Sequence, residues 1–128
     1  MVVTIPVSWG ELFDKLTILE IKQSRIDDQQ KLINISKELA ALRAVCADHK
    51  LPDQQLADLV GELRRVNASL WQIEDDIRDC ERTRDFAGRF IELARSVYKT
   101  NDRRAELKAE INRLLGSELV EEKSYQPY

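Results

Sequence analysis

Apolar residues recur at steps of three and four along most of the chain, which is the period of an amphipathic helix. The most regular run lies on one helical face between residues 56 and 80, and a second run on the same repeat lies between residues 18 and 46. The first run comprises Leu56, Leu59, Leu63, Val66, Leu70, Ile73, Ile77 and Cys80. Because two such faces bury each other in coiled-coil fashion, the pattern predicts a long antiparallel helical hairpin.

Caps and breakers set the predicted helix boundaries. Ser8 with Glu11 three residues later is typical of a capping box, and no strong breaker follows until the segment before Pro52. We therefore predict helix 1 over about 9–47, helix 2 over about 52–82, and helix 3 over about 86–115 with a bend near Asn101, then a tail over 116–128. The predicted fold class is all-α, an elongated three-helix bundle in a single domain spanning residues 1–128.

Composition narrows the function classes. The 128 residues are 43% hydrophobic and 34% charged, with a formal net charge of -3. Binding to nucleic acid through the whole surface needs concentrated basic charge, so we expect no nucleic-acid partner. No apolar run approaches the length of a membrane span, and the N-terminus lacks the basic region of a signal peptide. We expect a cytoplasmic protein with no membrane span.

The densest polar cluster lies near the end of predicted helix 2. Asp75 and Asp79 share a helical face, and Asp76 and Asp79 nearly do, so either pair could hold Mg²⁺ beside a phosphate-bearing ligand. These three residues are the predicted metal ligands. The competing and simpler interpretation is that the carboxylates form ion pairs with Arg78 and Arg82 on a solvated surface.

A second polar cluster surrounds the predicted bend in helix 3. Tyr98, Asn101 and Arg103 could bind a carboxylate or phosphate, since Arg offers paired donors and Asn101 could open a helix N-terminus. The alternative is that Asn101 and its neighbours simply cap a helix. No Walker loop, dinucleotide fingerprint, CxxC or HExxH occurs, so we predict no catalytic residue and no cofactor.

Four strings carry a resemblance to known proteins: PVSWGELFDKLTILEIK, LWQIEDDIRDCE, TNDRRAELKAEIN and EEKSY. With them, the chain resembles a family of small bacterial proteins of unknown function. The resemblance implies that a site, if present, lies where these strings meet, and that the proteins are accessories to cell-surface polysaccharide synthesis. The implied ligand-binding residues are Lys15, Glu20, Lys22, Tyr98, Asn101 and Arg103.

Two functions fit these observations. The first is a non-enzymatic module that forms a homodimer or docks a protein partner, because a long hairpin exposes apolar edges unless another surface covers them. The second is an all-α metal-dependent enzyme, or a binding protein, for a phosphorylated or anionic small molecule.

Overall fold

The computed structural model describes residues 1–128 and contains four α-helices and no β-strand. They are α1 (Trp9–Arg25), α2 (Gln29–Ala47), α3 (Gln54–Thr83) and α4 (Gly88–Leu115). The prediction of an all-α fold is confirmed. The prediction of three helices is wrong, because the predicted first helix is two separate helices. None of the four combines the length and apolar character that a membrane span requires.

The break between α1 and α2 has a local cause. Ile26 and Asp28 both adopt extended backbone conformations, and the carboxylate of Asp28 caps α2 by accepting a hydrogen bond from the Lys31 amide at 2.9 Å. An Asp in this position favours a helix start over a helix interior. The chain therefore reverses at residues 26–28 instead of continuing as one long helix.

The reversal makes α1 and α2 an antiparallel pair. Trp9 at the start of α1 lies edge-on to His49, just past the end of α2, with ring centroids 4.9 Å apart. Farther along, the Gln23 side chain donates to the Ser36 hydroxyl at 3.3 Å. The α2 backbone approaches α1 closely and neither α3 nor α4. The close pairing predicted between the segment 29–47 and the following helix is therefore replaced by pairing with α1.

The second antiparallel pair is α3 with α4, and α1 packs against both. Arg103 of α4 reaches Glu62 of α3 at 2.6 Å, whereas Arg89 at the other end of α4 lies 3.8 Å from Asp76. The centre of the core contains fully buried Leu63, Leu107 and Ile111, and residues of α1 and α2 pack around them. Helix α1 is the one helix that packs against all three others, so it lies at the centre of the fold.

Helix α4 runs without a break past Asn101, so Asn101 does not begin a new helix there. Asn101 accepts a hydrogen bond from Arg104 at 3.4 Å, and Asp102 accepts one from the Tyr128 hydroxyl at 2.6 Å. Because these two side chains have side-chain partners, they do not compete for the backbone hydrogen bonds of the helix. Packing against α3 further stabilises α4 here.

Helices α1 and α4 approach most closely at Gly10. Its amide donates to the Asn112 side chain at 2.7 Å, and a Cβ at this position would lie 2.5 Å from the Lys108 carbonyl oxygen. The first turn of α1 is further fixed by Ser8, whose hydroxyl accepts from the Glu11 amide at 3.1 Å and caps the helix as predicted. Glycine is therefore required for the close helix contact and not for a special backbone angle.

The apolar core does not extend along the whole of α3 and α4. Its members on α3 end at Val66, and on α4 they begin at Leu107. We call residues 72–96 the distal hairpin. Cys80 is its single buried residue, and a long contact from Arg89 reaches the Cys80 sulfur at 3.7 Å.

Candidate functional site

A buried polar network lies between α1, α3 and α4, formed by Asp14, Thr17, Asn67 and Arg104. Arg104 donates two hydrogen bonds to the Asp14 carboxylate, at 2.9 and 2.5 Å, in the fork arrangement that a guanidinium and a carboxylate prefer. The Asn67 amide nitrogen donates to Asp14 and to the Thr17 hydroxyl, both at 3.0 Å. Asp14 is 2% exposed, so the network ties three helices together inside the protein.

The network explains how a carboxylate is tolerated in the interior. Burial raises the pKa of the Asp14 carboxyl, but the hydrogen bonds from Arg104 and Asn67, together with the positive charges of Arg104 and Lys108, outweigh this and hold the pKa below its usual range. Burial lowers the pKa of nearby Lys108, but ion pairs with Glu121 at 2.6 Å and Glu11 at 2.9 Å more than compensate and raise it. Both side chains are therefore charged at neutral pH.

A cleft of about 370 Å³ opens beside this network. Its apolar wall combines residues of all three surrounding helices with the indole of Trp71, and its polar lining includes two carboxylates. The lining residues are Ile18, Ile21, Asn67, Leu70, Trp71, Glu74, Asp75, Val97, Asn101 and Arg104. A mixed apolar and polar cleft of this size is typical of a small-molecule site.

The predicted metal ligands occupy separate environments. Asp75 lines the cleft, Asp76 accepts from Gln72 at 2.9 Å and lies 3.8 Å from Arg89, and Asp79 pairs with Arg82 at 3.2 Å. No group of three or more His, Cys, Asp or Glu side chains lies close enough together to hold a metal ion. The geometry therefore gives the prediction of a metal site no support.

The predicted ligand-binding residues on α1 lie away from the cleft lining. Lys15 pairs with Glu38 on α2 at 2.7 Å, and Glu20 accepts from Arg64 on α3 at 2.8 Å. Lys22 is half-buried in the last turn of α1 and makes no ion pair. Lys15 and Glu20 thus serve contacts between helices in this structure.

The predicted residues on α4 lie on three surfaces, and Asn101 belongs to two of them. Asn101 lines the cleft, while Arg103 faces Glu62 and Glu106 at 2.6 and 3.1 Å. Tyr98 stacks edge-on against Tyr128 of the tail, with ring centroids 5.1 Å apart. The tail and α4 line a wide groove of about 1030 Å³, and both Tyr98 and Asn101 belong to its lining.

Of the nine predicted metal and ligand residues, the cleft brings together Asp75 and Asn101. Sequence reasoning missed the buried connection between Asp14 and Arg104, although both residues belong to strings that carry the family resemblance. The sequence does point to Asn67, because this polar residue lies one helical turn after Leu63 and next to the apolar face of α3. A polar residue beside such a face indicates a buried hydrogen-bond partner.

Comparison with known proteins identifies a family but no activity. Residues 2–128 match the family described as "Family of unknown function (DUF6165)", and the chain belongs to that family. No match is found among curated proteins or among solved structures. The match covers all four helices and the tail, so the buried network and the cleft lie within the family's defining region.

Proposed function

We propose that the protein is a non-enzymatic helical module that self-associates into a homodimer through the distal hairpin, residues 72–96. The proposal rests on the exposed apolar side chains and the charge distribution of the distal hairpin, and not on the family, whose function is unknown. An accessory role in cell-surface polysaccharide synthesis stays a prediction from the resemblance alone, and the cytoplasmic location stays a prediction from the sequence.

The observation that supports this proposal is the incomplete burial of apolar side chains on the distal hairpin. Phe86 and Ile91 are 50% and 53% exposed, although both are large apolar residues. The remaining large aliphatic and aromatic side chains of the hairpin are only partly buried, namely Ile73, Ile77, Phe90 and Leu93. Phe86 and Phe90 contact each other edge-on with ring centroids 5.4 Å apart, and exposed apolar side chains grouped in this way are characteristic of an interaction site.

Charge complementarity favours a second copy of the chain as the occupant. Residues 74–82 of α3 contain five acidic and two basic side chains, whereas residues 84–99 contain four basic and two acidic ones. In a two-fold symmetric dimer, α3 of one copy can face α4 of the other. The symmetry then gives two equivalent contacts, each between an acidic segment and a basic segment. Glu81, Arg84 and Lys99 make no ion pair within the chain and are available for such contacts.

Sedimentation equilibrium with two matched variants tests this proposal. Ile91→Glu places a charge on the distal hairpin, and Ile33→Glu makes the same change at a 59% exposed position on α2. We expect the mass of a dimer for the wild type and for Ile33→Glu, and the mass of a monomer for Ile91→Glu. A monomeric wild type over a wide concentration range, or an Ile91→Glu dimer of undiminished stability, would overturn the proposal.

The alternative, binding of a phosphorylated or anionic small molecule, lacks a comparable observation. Anion binding needs guanidinium or ammonium groups that are free to contact the ligand. Arg103 is shared among carboxylates of α3 and α4, and Arg104 is bonded to Asp14. Without free cationic donors at the cleft, we favour self-association.

A further inference from the structure

We propose that the cleft binds a small organic cation, specifically a primary ammonium group carried on an apolar body. This inference does not presuppose self-association, since the cleft is formed around Trp71 and Asn67 and not around Phe86 or Ile91, although Glu74 and Asp75 of its lining also belong to the distal hairpin. It rests on an unpaired acceptor, an excess of available negative charge and an aromatic wall.

The unpaired acceptor is the side-chain oxygen of Asn67. Its amide nitrogen donates to Asp14 and Thr17, and the Thr17 hydroxyl in turn donates to a backbone carbonyl at 2.8 Å. Both partners of the amide therefore act as acceptors, which fixes the nitrogen toward the network and the oxygen away from it. That oxygen has no hydrogen-bond partner, although Asn67 is 5% exposed.

The Asn67 oxygen must reach the cleft. No fully buried side-chain oxygen or nitrogen in the structure lacks a partner, so this unbonded oxygen retains access to open space. Asn67 lines the cleft, which is the open space beside it. A nearly buried carbonyl oxygen is thus presented to the cleft, where it can accept a hydrogen bond from a ligand.

The charge available in the cleft is negative. Asp75 makes no ion pair within the chain, and Glu74 uses one carboxylate oxygen for Arg78 and leaves the other free. The single cationic residue of the lining, Arg104, is bonded to Asp14 and Asn101. The lining therefore attracts a cation and disfavours an anion.

An organic ammonium fits this lining better than a metal ion does. No group of three or more possible metal ligands is present, whereas an ammonium needs separate acceptors for three N–H donors. The indole of Trp71 is the side chain best suited to attract a cation through its ring face. Ile18, Leu70 and Val97 supply an apolar surface for the carbon body, and about 370 Å³ accommodates a small molecule.

NMR titration of the ¹⁵N-labelled full chain tests the proposal. The probes are butylammonium and 2-phenylethylammonium, with butanol and 2-phenylethanol as neutral counterparts of the same shape. The chain has two tryptophans, and Trp9, which packs against Phe13 and His49 outside the cleft, is the internal control. We expect saturable movement of the Trp71 indole signal with the ammonium compounds and not with the alcohols.

Two variants with the same charge change make the test specific. Asp75→Asn alters the cleft, and Asp79→Asn alters an exposed carboxylate one helical turn away. Losing a charged hydrogen-bond partner should raise the ammonium Kd about tenfold in Asp75→Asn, with no change in Asp79→Asn. The proposal fails if neither ammonium binds saturably, if the alcohols bind equally well, or if both variants respond alike.

Discussion

Replacing Gly10 with alanine tests the packing of α1 against α4 most sharply. The added methyl group would lie 2.5 Å from the Lys108 carbonyl oxygen and 3.0 Å from the Asn112 side-chain oxygen. The nearer contact is with backbone, so it cannot be relieved by rotating a flexible side chain. The two helices must separate, and the 2.7 Å hydrogen bond from the Gly10 amide to Asn112 must lengthen.

The expected free-energy change follows from three terms. Overpacking a tight contact costs about 1–3 kcal/mol, and weakening the hydrogen bond costs about 1 kcal/mol more. The better helix propensity of alanine offsets about 1 kcal/mol of this. The net loss in unfolding free energy is about 2 kcal/mol. With about 2.1 cal/mol/K of unfolding entropy per residue over 128 residues, the Tm should fall by about 7 °C.

Thermal unfolding followed by circular dichroism measures this change, and Gly61→Ala is the matched control. At Gly61 the nearest atom to an added Cβ is the end of the Arg65 side chain at 3.8 Å, so the methyl group is accommodated. We expect Gly61→Ala to raise the unfolding free energy by up to about 1 kcal/mol, because alanine replaces glycine inside α3. A Gly10→Ala protein as stable as the wild type would refute the packing argument.

Two further changes probe the buried network and the first helix cap. Because the folded-state pKa of Asp14 is lowered, its contribution to stability is present above the unfolded pKa of about 3.9 and is lost as pH falls through the folded value. Asp14→Asn should therefore lower the free energy of unfolding, measured in urea at neutral pH, by about 3 kcal/mol. The difference in unfolding free energy between the variant and the wild type should narrow below about pH 4, and a difference that does not change with pH would contradict this. Ser8→Ala should lower the unfolding free energy by about 1 kcal/mol because the Glu11 amide loses its acceptor, and Ser8→Thr should retain most of it. Equal stability of the two Ser8 variants would count against the cap.

Helix content was predictable because it follows from local periodicity and caps. The apolar spacing from Leu56 to Cys80 and the N-cap at Ser8 correspond to real helices, although the Glu11 carboxylate pairs with Lys108 and does not complete a capping box. The reversal at residues 26–28 was harder, since Ile26 continues the apolar repeat and Asp28 differs little from a surface residue in the sequence. The break combines the extended backbone and Asp28 cap at residues 26–28 with the packing of α2 against α1 that it permits, and a sequence pattern shows only the first of these.

The site was predictable only in part, because it depends on contacts between residues far apart in the chain. Asp75 and Asn101 belong to clusters that sequence reasoning singled out, and the fold brings both to the cleft. The pairing of Asp14 with Arg104 spans 90 residues, and no local pattern specifies it. Most charged residues that are clustered in the sequence form ion pairs in the structure, as Arg103 does with Glu62.

An isotope-filtered NOE experiment on a mixture of labelled and unlabelled chains tests self-association through the distal hairpin. This measurement detects contacts between copies and identifies the residues that make them. We predict intermolecular NOEs from the side chains of Phe86 and Ile91 to α3 of the second copy. Intermolecular contacts confined to α2, for example at Ile33, or the absence of any between copies, would overturn self-association through the distal hairpin.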